Sequence, residues 1–345
     1  MSKFTGILLL SLILVCAAFA KEAVQTDPAV SSNGYVDPIL GPSSPTDVVA
    51  WTTVGTAPQT IGRSGAGVIG NYMYVFGNEM GAFAQAFNLT TETWVASSPG
   101  FIGLDNWGSA ATNSALYLVA GYSGSAAIAN VQKFTPTAGG PTGTWTQMAA
   151  YPGGANYGTS AAWDGGNYIY CAGGSLTATG FYRYDIAGDS WTTLAPMPLA
   201  RNFAGCGFAG GKVVVYGTVT AVTTQVDVYD VVSNTWSTGA AMPTAVSFAT
   251  YSTTQNSSYV MSVGGGGGYG SWPSIAAVQL YNVASNTWTL DTPLPVAAGT
   301  NTARYAGPGK VISAGGYNLS YSGITYRGTG RCVRRSNTRS SSSRG

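Results

Sequence analysis

The chain of 345 residues contains no histidine. Nucleophile systems that use an imidazole base, Ser-His-Asp and Cys-His alike, are therefore excluded. So are metal sites built on imidazole. Acid–base chemistry would fall to Asp, Glu, Tyr or Lys. The side chains that could recognise a ligand are Arg63, Asp105, Asn106, Trp107, Asn156, Tyr157, Arg201, Asn202, Phe203, Phe248 and Arg304, joined by Asn78, Glu79, Tyr122, Tyr269, Trp272 and Tyr317. Aromatic rings stack on the apolar faces of sugars, while Asn, Asp and Arg bond their hydroxyls. The same residue types dominate the energetic centres of protein interfaces. Glu79 and Asp105 with Arg63, Arg201 and Arg304 form a sparse set that could move protons. Packing between elements accounts equally well for Trp107, Tyr157, Phe203 and Phe248. Five consecutive glycines, residues 264–268, suit a flexible loop. They lack the lysine and the strand-to-helix setting of a phosphate loop, so nucleotide binding is not expected.

The elements that must position these groups are β-strands. Charged residues make up 8 % of the chain, with 15 basic and 13 acidic side chains and a net charge of +2. An ordinary soluble domain carries roughly 25 %. Hydrophobic residues reach 45 % and glycine numbers 48, so the chain has the material for a large core and for many tight turns. Aromatic-rich, glycine-rich sequence with few helix formers reads as all-β.

One phrase recurs along the chain. Glu92-Thr93-Trp94, Gly143-Thr144-Trp145, Asp189-Ser190-Trp191, Asn234-Thr235-Trp236 and Asn286-Thr287-Trp288 are variants of it, and Ala50-Trp51-Thr52-Thr53 is a sixth copy. Successive tryptophans lie 43 to 52 residues apart. Periods of this size mark propellers or arrays. Phe87, Tyr184, Tyr229 and Tyr281 each precede the tryptophan by seven residues; Phe134 precedes Trp145 by eleven, across an enlarged turn. Further upstream lie β-rich runs ending in glycine, at 72–77, 116–121, 168–174, 213–217, 259–265 and 311–316. Some of the glycine pairs are degenerate, as at Gly77-Asn78, Gly121-Tyr122 and Gly217-Thr218.

The unit resembles the kelch repeat: a hydrophobic strand, a glycine pair, Tyr-Asp or Tyr-Asn, then Trp. Tyr168-Ile169-Tyr170-Cys171-Ala172-Gly173-Gly174 followed by Tyr184-Asp185 and Trp191 is its fullest copy. The resemblance spans 51–326 and implies a six-bladed kelch-type β-propeller of four-stranded antiparallel blades. Trp51, Trp94, Trp145, Tyr184, Trp191, Tyr229, Trp236, Tyr281 and Trp288 are then structural, filling the roomy outer strands. The final unit has three strands and no tryptophan, while the strand near Trp51 has no blade before it. Joining the two closes the ring and removes an exposed sheet edge. Strand alternation puts the loops before each first strand and the loops between second and third strands on one face, around a central opening. All the candidate ligand residues belong to those loops. The kelch family also includes a galactose-oxidase-like copper enzyme, whose histidine ligands have no counterpart here.

Residues 1–20 read as a signal peptide, with Lys3, an apolar run at 6–15 and the small-x-small pattern Ala18-Phe19-Ala20. Residues 21–47 read as a disordered linker, 48–326 as the propeller and 327–345 as a disordered Arg/Ser-rich tail. Cys171, Cys206 and Cys332 remain after the leader, an odd number, so the core depends on packing, with a Cys171–Cys206 pair left open. The expected function is a secreted, non-catalytic binding or scaffold module for an extracellular glycan or protein. The alternative is a secreted carbohydrate-active enzyme similar to the sialic-acid mutarotases, which are also kelch propellers. No cofactor, metal, nucleic-acid partner or membrane span is expected, and the chain is expected to be a monomer.

Overall fold

Alternating apolar runs and glycine turns build 24 strands, paired into six four-stranded antiparallel sheets, in a computed structural model that describes residues 48–267 and 272–330. The expected leader and linker, Tyr269, Cys332 and the tail from residue 331 lie outside the described residues. Blade 1 comprises Gly65–Ile69, Tyr72–Asn78, Gly81–Asn88 and Thr93–Ala96. Blade 2 comprises Gly108–Ala111, Leu116–Val119, Val131–Pro136 and Gly143–Met148, and blade 3 comprises Ser160–Trp163, Tyr168–Ala172, Phe181–Asp185 and Ser190–Thr193. Blade 4 runs through Gly205–Ala209, Lys212–Tyr216, Val226–Asp230 and Thr235–Thr238; blade 5 through Thr253–Gln255, Tyr259–Val263, Val278–Asn282 and Thr287–Asp291. Each first strand packs on the first strand of the next blade, and that of blade 6 (Thr302–Tyr305) packs on that of blade 1, so the ring is closed.

The closure is the one read from sequence. The N-terminal strand Val48–Ile61 pairs antiparallel with Ser320–Gly330 and becomes the outer strand of blade 6, with Trp51 opposite Gly328 and Thr53 opposite Tyr326. The third strand of that blade continues past the expected boundary at Tyr326 to Gly330. The N-terminal strand extends to Val48 and supplies its pairing partner there. Arg327, assigned to the tail by sequence, instead pairs with Glu92 of blade 1.

Six apolar clusters hold the ring, one at each junction between blades. Second strands are buried on both faces, which is why 213–216 is unbroken Val-Val-Val-Tyr. The glycine that ends the apolar run of the second strand in every blade but blade 2 has a steric cause. At Gly173 φ is +64°, and a Cβ there would sit 2.2 Å from the carbonyl oxygen of Arg201 in the next loop. In blade 2 the equivalent positions are Ala120 (φ 58°) and Gly121 (φ 117°), which corrects the reading of Gly121-Tyr122 as the pair. Cys171 and Cys206 are buried and unpaired. Burial raises both thiols, Cys206 to about 12.

Candidate functional site

Near its end, the loop leading into each first strand passes through a left-handed residue. These are Arg63 (φ 57°), Asn106 (62°), Gly158 (66°), Phe203 (51°), Phe248 (53°) and Thr300 (51°). Bulky or β-branched residues at positive φ are outliers, and such strain concentrates at functional sites. Backbone hydrogen bonds link them around the axis. Arg63 N donates to Thr300 O (3.2 Å), Asn106 N to Arg63 O (3.1 Å), Gly158 N to Asn106 O (2.8 Å) and Phe203 N to Gly158 O (2.7 Å). At blade 5 the course changes. A short helix, Ala249–Ser252, follows Phe248, and Thr300 N bonds Gly266 O instead (2.8 Å).

That helix bridges the centre of the ring. Tyr251 OH donates to Asn106 Oδ1 of blade 2 at 2.5 Å, and Thr250 Oγ1 donates to Thr159 O of blade 3 at 2.9 Å. Arg304 of blade 6 completes the bridge. Its guanidinium donates to Ala66 O in blade 1 (2.9 Å), Ser109 Oγ in blade 2 (2.8 Å) and Tyr251 O in blade 5 (2.8 Å). Burial lowers its pKa to about 10. The central opening expected from sequence is therefore spanned by protein, and Arg304 serves the fold.

Three other expected site residues do the same. Trp107 is fully buried, wedged where Gly77 and Gly121 leave room and edge-on to Phe101 with ring centroids 5.6 Å apart. Arg201 is 0 % exposed; it bonds Asp227 Oδ2 through Nη2 (2.7 Å) and Nε (3.1 Å) and also donates to the carbonyls of Gly217 and Gln225. Asn156 is buried, donating to Thr177 Oγ1 (2.5 Å) and accepting from Leu176 N (3.0 Å), and so shapes the turn between the second and third strands of blade 3.

The remaining candidates converge. Arg63 Nε lies 3.3 Å from Glu79 Oε2, and its guanidinium carbon lies 5.9 Å from the Phe248 ring centre. Asp105 is buried beside them, accepting from Asn106 Nδ2 at 2.9 Å. Burial pushes its carboxyl up to about 6; Arg63 opposes the rise and Glu79 reinforces it. From there an arc of rings crosses four blades. Tyr122 and Tyr157 are 5.7 Å apart, Tyr157 and Phe203 6.0 Å, Phe203 and Phe248 4.8 Å, Phe248 and Trp272 5.9 Å. Phe203 and Phe248 are buried, whereas Tyr122, Tyr157 and Trp272 are half-buried. Trp272 Nε1 donates to Val219 O at 3.0 Å, which fixes the indole against blade 4. Tyr122, Tyr157 and Trp272 offer partly exposed rings beside fixed polar groups, with Phe203 and Phe248 packed between them. Among the described residues, no cluster of His, Cys, Asp or Glu could hold a metal ion. No helix among them is long and apolar enough to cross a membrane.

The sequence named the residues of the Arg63–Glu79–Asp105 group and of the arc, but not the axial bridge. Nothing in the four residues 249–252 signals a helix, and Arg304 looks like any loop-adjacent arginine until its partners on three other blades are known.

No family model matches the chain. A curated relative, "Kelch-like protein terF" of Aspergillus terreus (strain NIH 2624 / FGSC A1156), is 24 % identical over 251 residues, covering 67 % of this chain and 54 % of the relative. The chain thus matches only about half the length of that protein.

Proposed function

Since the chain is a kelch-repeat six-bladed propeller, we propose that it is a non-catalytic binding module of the extracytoplasmic space that takes a glycan on its aromatic arc. The run of rings from Tyr122 to Trp272, open to solvent in part at Tyr122, Tyr157 and Trp272, carries this reading. A pyranose stacks its C–H face on such rings and turns its hydroxyls toward groups like the adjacent Arg63–Glu79 pair. The scaffold fixes the rings in advance, so little side-chain entropy is lost on binding. The leader-like residues 1–20 support the location. The enzymatic alternative loses support because two of its five residues, Arg201 and Arg304, are committed to the fold.

A protein ligand is the second reading. Met80, Leu176 and Val222 favour it: they are 72 %, 61 % and 44 % exposed at loops on the same face. A glycan array probed with the mature protein separates the cases. Saturable sugar binding that weakens about tenfold in Tyr157→Ala, a loss of about 1.4 kcal/mol, is the expected result. Absence of sugar binding, with a purified protein ligand displaced by Met80→Asp, would favour the second reading. Turnover of a free sugar that Glu79→Gln abolishes would replace both with catalysis.

A further inference from the structure

Three Asn-X-Ser/Thr triplets occur in the described chain, at Asn88, Asn256 and Asn318, and the fold treats them differently. Asn256 is 6 % exposed. Its Oδ1 accepts from Ser258 N (3.0 Å) and Tyr259 N (2.8 Å), closing a tight turn that leaves the residue little open surface. Asn88 is half-buried, and its Oδ1 accepts from Asn71 Nδ2 (3.0 Å), Thr90 N (2.9 Å) and Thr91 N (3.0 Å). The hydroxyl of that triplet is committed as well, with Thr90 Oγ1 donating to Asn71 Oδ1 at 2.8 Å.

Asn318 differs on each count. It stands at the tip of the hairpin joining the second and third strands of blade 6, where it pairs with Ser320 around the single residue Leu319, whose φ is 67°. Asn318, Leu319 and Ser320 are all exposed. The base of the hairpin is anchored, with Tyr317 N donating to Gly299 O (2.7 Å) and Tyr317 O accepting from Gly299 N (2.9 Å) and Ser274 Oγ (2.5 Å). Leu319 is 90 % exposed, more than any other large hydrophobic side chain described. An aliphatic residue at such a tip is left bare by the chain itself.

We infer that Asn318 is an N-glycosylation site, whose glycan covers Leu319 beside the binding face. The inference rests on the extracytoplasmic location proposed above, because the sugar donor is met only in the secretory pathway. The donor is an oligosaccharide carried on a lipid diphosphate. Asn318 Nδ2 forms a bond to the anomeric carbon, the bond from that carbon to the diphosphate oxygen breaks, the lipid diphosphate leaves with the electron pair, and the one proton lost from the amide nitrogen passes to solvent. Asn318 lies in blade 6, which contributes no ring to the arc of blades 2 to 5.

The test is secretion of the full chain from yeast, followed by peptide-N-glycosidase treatment and mass spectrometry of the tryptic peptides. One glycan, located on Asn318, is expected. It is lost in Asn318→Gln and retained in Asn88→Gln and Asn256→Gln, with the melting temperature of Asn318→Gln unchanged after deglycosylation. Secreted protein without a glycan, or a glycan that persists in Asn318→Gln, overturns the site while the location stands. Retention of the chain in the cytosol overturns the location and the site together.

Discussion

Asp189, Asn234 and Asn286 explain the tryptophan phrase better than the tryptophans themselves. Each takes a left-handed conformation and accepts from the tyrosine five residues earlier: Tyr184, Tyr229 and Tyr281, all at 2.6 Å. The same oxygens accept the backbone N–H of Ala149, Ala195 and Ala240 in the preceding blade. The tryptophan two residues on then donates its indole N–H to the carbonyl of that same alanine, at 2.9 Å in all three. One backbone residue is thus gripped on both sides, and blade is stapled to blade. Blades 1 and 2 carry Phe87 with Glu92 and Phe134 with Gly143, so the hydroxyl and its Asn or Asp acceptor disappear together. The phrase was legible in the sequence; its meaning was not, because the gripped alanine lies about 40 residues upstream. Asn234→Ala leaves the Tyr229 hydroxyl short of its partner and should cost about 1–3 kcal/mol. Denaturant unfolding should show Tyr229→Phe with Asn234→Ala costing less than the sum of the single variants. At the site, Asp105 should give stability a pH dependence. Its carboxyl is raised from 3.8 to about 6 on folding, so between those values the native state binds more protons than the unfolded chain. Stability from this group is present at low pH and is lost as pH rises from about 4 to 6, by about 2–3 kcal/mol. Asp105→Asn should flatten that window in unfolding titrations relative to the parent.

Among the elements, strands and closure were readable and the axial bridge was not. Strand positions follow from apolar runs ended by glycine, a signal held within each unit. The bridge depends on groups brought together only by the ring: Arg304 reaches blades 1, 2 and 5, and the helix at 249–252 reaches blades 2 and 3. The burial of Trp107 and Arg201 was not readable from the sequence for a related reason. An aromatic or an arginine just before a first strand faces ligand or neighbour depending on the width of the gap beside it. Gly77 and Gly121 open that gap for Trp107, and Asp227 supplies the counter-charge for Arg201. Arg304→Ala strands several buried carbonyls at once, each worth about 1–3 kcal/mol. Thermal unfolding should show a loss of at least about 3 kcal/mol. Arg304→Lys should restore little of it, since an ammonium lacks the planar fork that reaches separate blades.

The described propeller has two unlike faces. Turns on the side away from the site carry Glu92, Asp164, Asp185, Asp189, Lys212, Asp230 and Lys310. The opposite face concentrates rings and aliphatic tips around Arg63, Glu79 and Asp105. That contrast is what the site reading depends on at this scale: solvent suits the charged side, and a partner suits the other. Hydrogen–deuterium exchange with a sugar identified on the array addresses it most directly. The account predicts slowed exchange in the loops holding Tyr122, Tyr157, Phe203 and Phe248, with the opposite turns unchanged. Slowing confined to the charged turns, or spread evenly over both faces, would contradict it.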